Sequence, residues 1–373
     1  MCERTIVVDN GSGSIYAGFA EEEDPISTFQ NFTRIKKAGD RQTQYGDSCG
    51  DFSDAVKYRN FVDEITNGNV KINYPMERGI VVDWDGMEAV WSHTFSKVLN
   101  AKPEECNLLI TEATMNPKPN REKMAQTLFE KFGFPAISIE QAGILPLYSA
   151  GLTTGVVLDC GDGVVETVPV WGGYPISDAI KRVNIGGRDI SELLGKLLQE
   201  KGHASKQLEI LRFIKENTAY VSERSGAGHP STSRDIFELP DGEIITIEDE
   251  IRHRCSELLF NPSMLEESDK IGVHEMLYKS IMKTNMDIRK DLYGNIVLSG
   301  GSTLFPGFVE RLSKEIASLL PQKAKLTIRA SPDRRYATWK GASVLASLSN
   351  FSRLLISKQE YDDVGPVIMH KHK

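Results

Sequence analysis

The chain writes one short phrase twice, and this repetition limits its fold more than any other feature. Thr5-Ile-Val-Val-Asp9-Asn-Gly11-Ser-Gly13 ends an apolar, β-branched run in Asp-x-Gly-x-Gly, and Gly155-Val-Val-Leu-Asp159-Cys-Gly161-Asp162-Gly163 repeats the design. Each copy predicts a strand, a tight glycine turn and a returning strand, the return arms being Ile15–Ala20 and Val164–Val170. Glycines there are expected to take positive φ and to let backbone N–H groups approach an anion, while the adjacent aspartate holds a hydrated cation. Two such hairpins predict a duplicated fold whose halves clamp a metal-bound polyphosphate.

Composition narrows the class. With 373 residues, 40% of them hydrophobic and 26% charged, the chain has material for two core-bearing domains. A net charge of -8 argues against nucleic acid as a partner, since phosphate backbones reward clustered cations. No apolar stretch approaches membrane-spanning length, so membrane insertion is not expected. The five cysteines, Cys2, Cys49, Cys106, Cys160 and Cys255, form no metal-ligand spacing and read as reduced thiols of a cytoplasmic protein.

Beyond the first hairpin, Glu21–Gly68 turns polar and reads as an inserted lobe. The core resumes with a helix over Asp85–Leu99, a buried strand over Asn107–Thr111 and a helix over Asn120–Phe132 with Asn120 as N-cap. After the second hairpin the alternation repeats, with helices over Asp189–Glu200 and Glu209–Val221, a polar insertion Ser222–Asp269, then helix Val273–Met286, strand Asn295–Leu298 and helix Gly307–Leu320. Strands alternating with helices predict α/β architecture. The apolar helix Gly341–Leu348 is expected to cross back onto the first half. The expected domains are 1–149 plus 337–373, with an inserted lobe at 33–74, and 150–336, with an inserted lobe at 186–269.

Neither hairpin is a Walker A loop, which needs Gly-Lys-Ser/Thr after its spacer, and neither carries the third glycine of a dinucleotide fingerprint. A further glycine turn, Ser299-Gly300-Gly301-Ser302-Thr303, lies between a strand and a helix, where its N–H groups face a phosphate or only cap the helix.

Taken together, Val8-Asp-Asn-Gly-Ser-Gly13, Tyr74-Pro-x-Glu-x-Gly79, Trp84, Asn116-Pro-Lys-x-Asn-Arg-Glu-Lys-Met124, Asp159-x-Gly-Asp-Gly-Val164, Gly187-Arg-Asp189, Leu239-Pro-Asp-Gly242, Asp287-Ile-Arg-Lys-Asp-Leu-Tyr293 and Lys358-Gln-Glu-Tyr361 resemble the actins, in order and over nearly the whole chain. The resemblance implies the α/β actin-like ATPase fold shared with Hsp70 chaperones and hexokinase-type sugar kinases: two duplicated domains around a nucleotide cleft. It implies ATP or ADP with Mg2+ (or Ca2+). Phosphate contacts carry over to Ser12, Gly13, Ser14, Tyr16, Gly161, Asp162, Gly163 and Val164, and the cation's water shell to Asp9 and Asp162. Nucleoside contacts carry over to Gly187, Lys215, Glu216, Gly301, Ser302, Leu304, Phe305 and Arg335. A solvated helix face is the plainer reading of Lys215-Glu216.

The departures bear on activity. Actins place a phosphate-reaching lysine where this chain has Tyr16, a loss of about 1.5–3 kcal/mol if uncompensated. Their water-positioning glutamine and histidine correspond to Ala142 and Glu166, with Gln141 one residue out of register. The catalytic candidates are therefore Glu166, Gln141 and Asp162, and Glu166 is expected to repel phosphate unless it acts as a general base. The loop Lys36–Asp54 is polar where actins insert an apolar tip into the next subunit, and Met264-Leu265 is followed by the acidic Glu266-Glu267. Arg78 replaces a histidine, Leu355 a tryptophan, and His370-x-His372 reads as a basic tail, not a metal site.

The resemblance thus implies a divergent cytoplasmic, cytoskeletal actin or actin-related protein that binds Mg-ATP, at most a slow ATPase with altered self-assembly. Its implied partners are its own kind, other actin-family subunits, and actin-binding proteins docking at Tyr148, Tyr174, Leu345 and Leu348. The alternative is a non-polymerising scaffold subunit of a ciliary, motor-associated or chromatin-associated complex. An active phosphotransferase lacks a small-substrate signature.

Overall fold

The computed structural model describes residues 4–36, 63–64, 67, 70–204, 206–223, 234–239, 244–265, 271–321 and 324–371. They form two compact units, one comprising the first strands with Val70–Leu152 and Tyr336–Lys373, the other Thr153–Arg335. Most of Lys36–Asp54, Glu266-Glu267 and His372 lie outside the described residues.

The first unit is built on β1 (Thr5–Asn10), whose Ile6, Val7 and Val8 are fully buried. A strand covered on both faces needs a continuous apolar run, which Ile-Val-Val supplies. β2 (Ser14–Phe19) returns antiparallel, and β3 (Ser27–Gln30) pairs with β2. The polar stretch expected to leave the core at Glu21 therefore re-enters the sheet first. Ser27-Thr28-Phe29-Gln30 buries only Phe29, as suits an edge strand, and its composition hid it.

β4 (Thr33–Lys36) pairs with β5 (Val70–Asn73), and β6 (Met76–Glu77) with β7 (Ile80–Val81). Helix α1 (Trp84–His93) is capped by Asp83, whose side chain accepts from Gly86 N, and ends in a π-turn at Thr94–Val98. β8 (Asn107–Glu112) lies parallel to β1. Helix α2 (Lys118–Glu130) starts two residues before the expected N-cap. Pro119 in its first turn needs no N–H partner and has a helical φ preset, so Pro117 becomes the cap and Asn120 instead donates to Val81 O. β9 (Ala136–Gln141) lies parallel to β8, followed by the short helix α3 (Leu145–Ser149).

The second unit repeats the plan. β10 (Gly155–Cys160) and β11 (Val165–Trp171) form its hairpin, with β12 (Tyr174–Pro175) and β13 (Lys181–Val183) both pairing with β11. Helices α4 (Gly187–Glu200) and α5 (Leu208–Thr218) pack their Ile/Leu faces into its core. The segment expected to be a polar insertion contains a ladder, β14 (Arg234–Glu238) with β15 (Ile244–Glu248), and helix α6 (Asp249–Glu257). Ile245, Ile247, Ile251 and Cys255 from it are buried in the core. Only alternate strand residues point inward, so the average composition reads as polar. Helices α7 (Val273–Met282) and α8 (Arg289–Tyr293) lead into β16 (Ile296–Ser299), parallel to β10, then α9 (Phe308–Leu319) and β17 (Ile328–Arg329).

The chain then returns to the first unit. Helix α10 (Ala337–Ala346) packs on α3 so closely that a Cβ on Gly341 would lie 1.8 Å from Leu145 O. Its Trp339, fully buried, donates Nε1–H to Val7 O at 3.1 Å, and Gly18 leaves room for the indole. β18 (Ile356–Ser357) closes the sheet in the order β18-β9-β8-β1-β2-β3, and α11 (Lys358–Val364) follows with a Ser357/Glu360 capping box.

Candidate functional site

The first hairpin turn is held from four directions. Thr111 Oγ1 donates to Asp9 Oδ1 at 2.7 Å and accepts from Asn10 N, while Trp91 Nε1 donates to Asn10 Oδ1. Asn31 Nδ2 donates to Gly11 O, and Gly79 N donates to Ser12 Oγ at 2.7 Å. Such bracing fixes the turn before any ligand arrives. The expectation of positive φ fails at Gly11 and Gly161, neither of which is left-handed. Gly11 is required by space: a Cβ there would sit 2.8 Å from Ser14 O.

Tyr16 lies across the ladder from Asp9, and its ring meets Tyr336 edge to face, with centroids 5.2 Å apart. Thr111 pairs in register with Glu140, which shares the Asp9 face, whereas Gln141 pairs with Glu112 on the opposite face. Ala142 opens the turn after β9.

In the second unit the N-terminus of α4 closes on the other hairpin. Gly187 N donates to Gly161 O and Arg188 N to Asp162 O, both at 3.0 Å, and the Arg188 side chain lies 3.6 Å from the Asp162 carboxylate. Gly186 permits this, since a Cβ there would fall 2.2 Å from Asp162 O. Ser302 Oγ donates to Gly161 O at 3.1 Å and Lys215 Nζ to Gly187 O at 2.7 Å. Gly300, at φ +87°, passes so near that a Cβ would lie 2.3 Å from Cys160 O.

The outcome is a close convergence of polar side chains on Gly187. A Cβ placed there would lie 3.0 Å from Ser302 Oγ, 3.1 Å from Lys215 Nζ and 3.4 Å from Asp162 Oδ1. Lys215 is buried, not part of a solvated face. Burial pushes its ammonium below the usual lysine range, with Asp162 pulling the other way. Arg212 bonds Glu216 at 2.9 Å; burial raises the Glu216 carboxyl, but Arg212, Lys215 and Arg335 together hold it below its usual range. Gly301 and Leu304 bound a short 3-10 turn, and Phe305, which follows, is buried. Gly161, Asp162, Gly187, Lys215 and Ser302 are thus brought together, with Glu216 and Arg335 as electrostatic neighbours.

Glu166 has a partner that the sequence did not reveal. It is 2% exposed and stands in register between Asp159 on β10 and Arg182 on β13. Burial lowers the Arg182 pKa while Glu166 raises it. The charge expected at Glu166 to repel phosphate therefore stands opposite a cation, Arg182, across the ladder. Asp159, the counterpart of Asp9 in the second hairpin, is also perturbed. Burial pushes its carboxyl up to about 6, against a hydrogen bond with Ser299, its register partner on β16. Its signal was its place in the repeated phrase, the same as that of Asp9.

Among the described residues, no three His, Cys, Asp or Glu side chains gather as a metal-ligand group, and no helix is long and apolar enough to cross a membrane. Cys106, Cys160 and Cys255 are free and buried. A family model, Actin, matches residues 2–373. The chain belongs to the actin family. Its α/β architecture, with a glycine hairpin at the head of each main sheet, is the actin-like fold. Actin-family folds generally hold ATP or ADP with a divalent cation, and actins associate with one another or with binding proteins.

Proposed function

We propose that this actin-family chain is a cytoskeletal structural protein that binds ATP, or ADP, with Mg2+ (or Ca2+) through its two hairpins and turns it over slowly. The observation that carries this reading is the convergence of a hydroxyl, an ammonium and a carboxylate on Gly187, at the mouth of the second hairpin. Those residue types fit a phosphorylated ligand: Lys215 donates to anionic oxygen, Ser302 and the turn amides of Ser12, Gly13, Ser14, Gly161, Gly163 and Val164 add neutral donors. Glu216, Gly301, Leu304, Phe305 and Arg335 serve the nucleoside. The divalent cation, when bound, supplies charge neutralisation, and Asp9 and Asp162 hold its water shell.

Slow turnover rests on three side chains. Ala142 has no group to orient a water, Gln141 lies on the face away from Asp9, and Glu166 is engaged by Arg182. The bound nucleotide acts chiefly by stabilising the folded protein through linkage. Tyr148, Tyr174, Leu345 and Leu348 receive binding proteins. The scaffold alternative is favoured by the polar Gly39-Asp-Arg-Gln-Thr-Gln-Tyr-Gly-Asp47 stretch, which offers little apolar area to a neighbouring subunit.

Nucleotide extracted from the purified native protein tests the reading. Bound ATP supports it, bound ADP shows that hydrolysis survives the altered positions, and an empty protein overturns it. Pelleting at micromolar concentration with Mg-ATP separates filament former from scaffold.

A further inference from the structure

The first unit holds an open cavity of about 1200 Å3, lined by no residue of either glycine turn. Every lining residue belongs to that unit, and the cavity shares only Leu348 with the docking residues proposed above. Phe19 closes β2, Cys106 and Pro135 stand just before β8 and β9, and Phe351 and Leu355 lie between α10 and β18. Together they give the cavity an apolar floor. Phe19, Cys106 and Phe351 are buried, whereas Leu355 is half-buried and stands where the actins place a tryptophan. A leucine in place of an indole leaves less side chain in the wall. The volume also exceeds the about 300–1,000 Å3 of small-molecule pockets, which favours an occupant that projects from a larger body.

The rim sets the charge of that occupant. Lys102 pairs with Glu105 at 2.8 Å and Glu360 with Lys371 at 2.9 Å, so these charges balance. Arg4 differs. Its guanidinium lies over the Phe19 ring, 3.7 Å from the centroid, and among the described residues no carboxylate pairs with it. Its backbone is held as well, because Asn107 N donates to Arg4 O at 3.0 Å. One unbalanced positive charge is thus fixed at the edge of an apolar floor.

We propose that this cavity is a docking site for a segment of a partner protein, which inserts one aromatic side chain and sets an acidic residue against Arg4. The ring leaves water for the surface of Phe19, Phe351 and Leu355, and the carboxylate fixes the direction of the segment. Nothing in this depends on nucleotide binding.

Fluorescence polarisation of end-blocked, dye-labelled pentapeptides with the full-length protein tests the proposal. One peptide carries tryptophan between two glutamates, a second tryptophan between two lysines, and a third alanine between two glutamates. The first is expected to bind with a Kd below about 1 mM, and the other two at least about fivefold more weakly, the upper scale of an exposed ion pair. Arg4→Glu is expected to reverse the preference between the glutamate and lysine peptides. Leu355→Trp fills the cavity from within, and is expected to lose about tenfold in affinity while melting no lower than wild type. Arg4→Glu, at an exposed side chain, decides the matter should Leu355→Trp not fold. The inference is overturned by a wild type that binds no peptide, by a lysine peptide that binds as well as the glutamate peptide, or by unchanged binding in folded Leu355→Trp. Indole-3-acetate binding as tightly as the first peptide overturns it too, since that assigns the cavity to a small aromatic acid.

Discussion

Asp159 and Glu166 face each other across the β10–β11 ladder, two carboxylates side by side with Arg182 beyond the second. Like charges directly opposed in a ladder oppose folding, and the guanidinium offsets this only on the Glu166 side. Burial is what raises the Asp159 pKa, against the hydrogen bond with Ser299.

A pH dependence follows. The folded carboxyl titrates near 6, above its ordinary value of 3.8, so the folded state binds more protons between those limits and loses stability as pH rises through them. The penalty at neutral pH is about 1–3 kcal/mol, discounted for partial exposure. Asp159→Asn is expected to stabilise the protein at pH 7.5 and not at pH 4, read by urea denaturation. An equal effect at both pH values removes the argument.

Breaking the pair on the other side has the opposite sign. Glu166→Ala leaves the Arg182 guanidinium without its cross-strand carboxylate and is expected to cost about 3 kcal/mol. Combining it with Arg182→Met should restore a large part of that loss, giving a favourable coupling in a double-mutant cycle of thermal stability. Additive losses would mean that the two side chains do not act as a pair.

Tyr16→Lys restores a cation to the first hairpin and removes an aromatic contact. The expected result is tighter ATP binding by about one decade, with stability lower by about 1 kcal/mol from the lost Tyr16–Tyr336 pair. Calorimetric titration and thermal melting report the two effects separately.

Gly341→Ala tests the close approach of α10 to α3. The added methyl has nowhere to go but into Leu145 O, and backbone does not yield as a flexible side chain does. A loss of about 3 kcal/mol or more is expected, with the melting temperature as measurement.

The hairpins were legible because their information is local. An apolar run, an aspartate and two glycines specify strand and turn within a few residues. Ala142 was equally plain, being the absence of a side chain. The engagement of Glu166 was not, because Arg182 reaches it only through a ladder whose register no nearby residue announces. The same holds for Ser27–Gln30, an edge strand that needs one buried residue and so carries almost no pattern. Gly11 was read correctly as necessary but for the wrong reason: contact with Ser14 O excludes a side chain there, and the backbone dihedral does not. Asn120 has the chemistry of a cap, yet Pro119 beside it decided where the helix begins.

The provenance of each core sets an order of assembly. The second unit's core is drawn entirely from Val156 to Ile316, whereas the first cannot be completed without Ile356, Tyr361 and Met369, and Trp339 must still bond to Val7. Strands β1 and β2, translated before the second unit, are thus covered completely only after it has been made. Until Ile356, Tyr361 and Met369 are made, Ile6, Val8 and Ile15 lack part of the core that shields them. A polypeptide that stops before Ile356 therefore keeps the residues of the second unit's core and leaves Ile6, Val8 and Ile15 short of their partners.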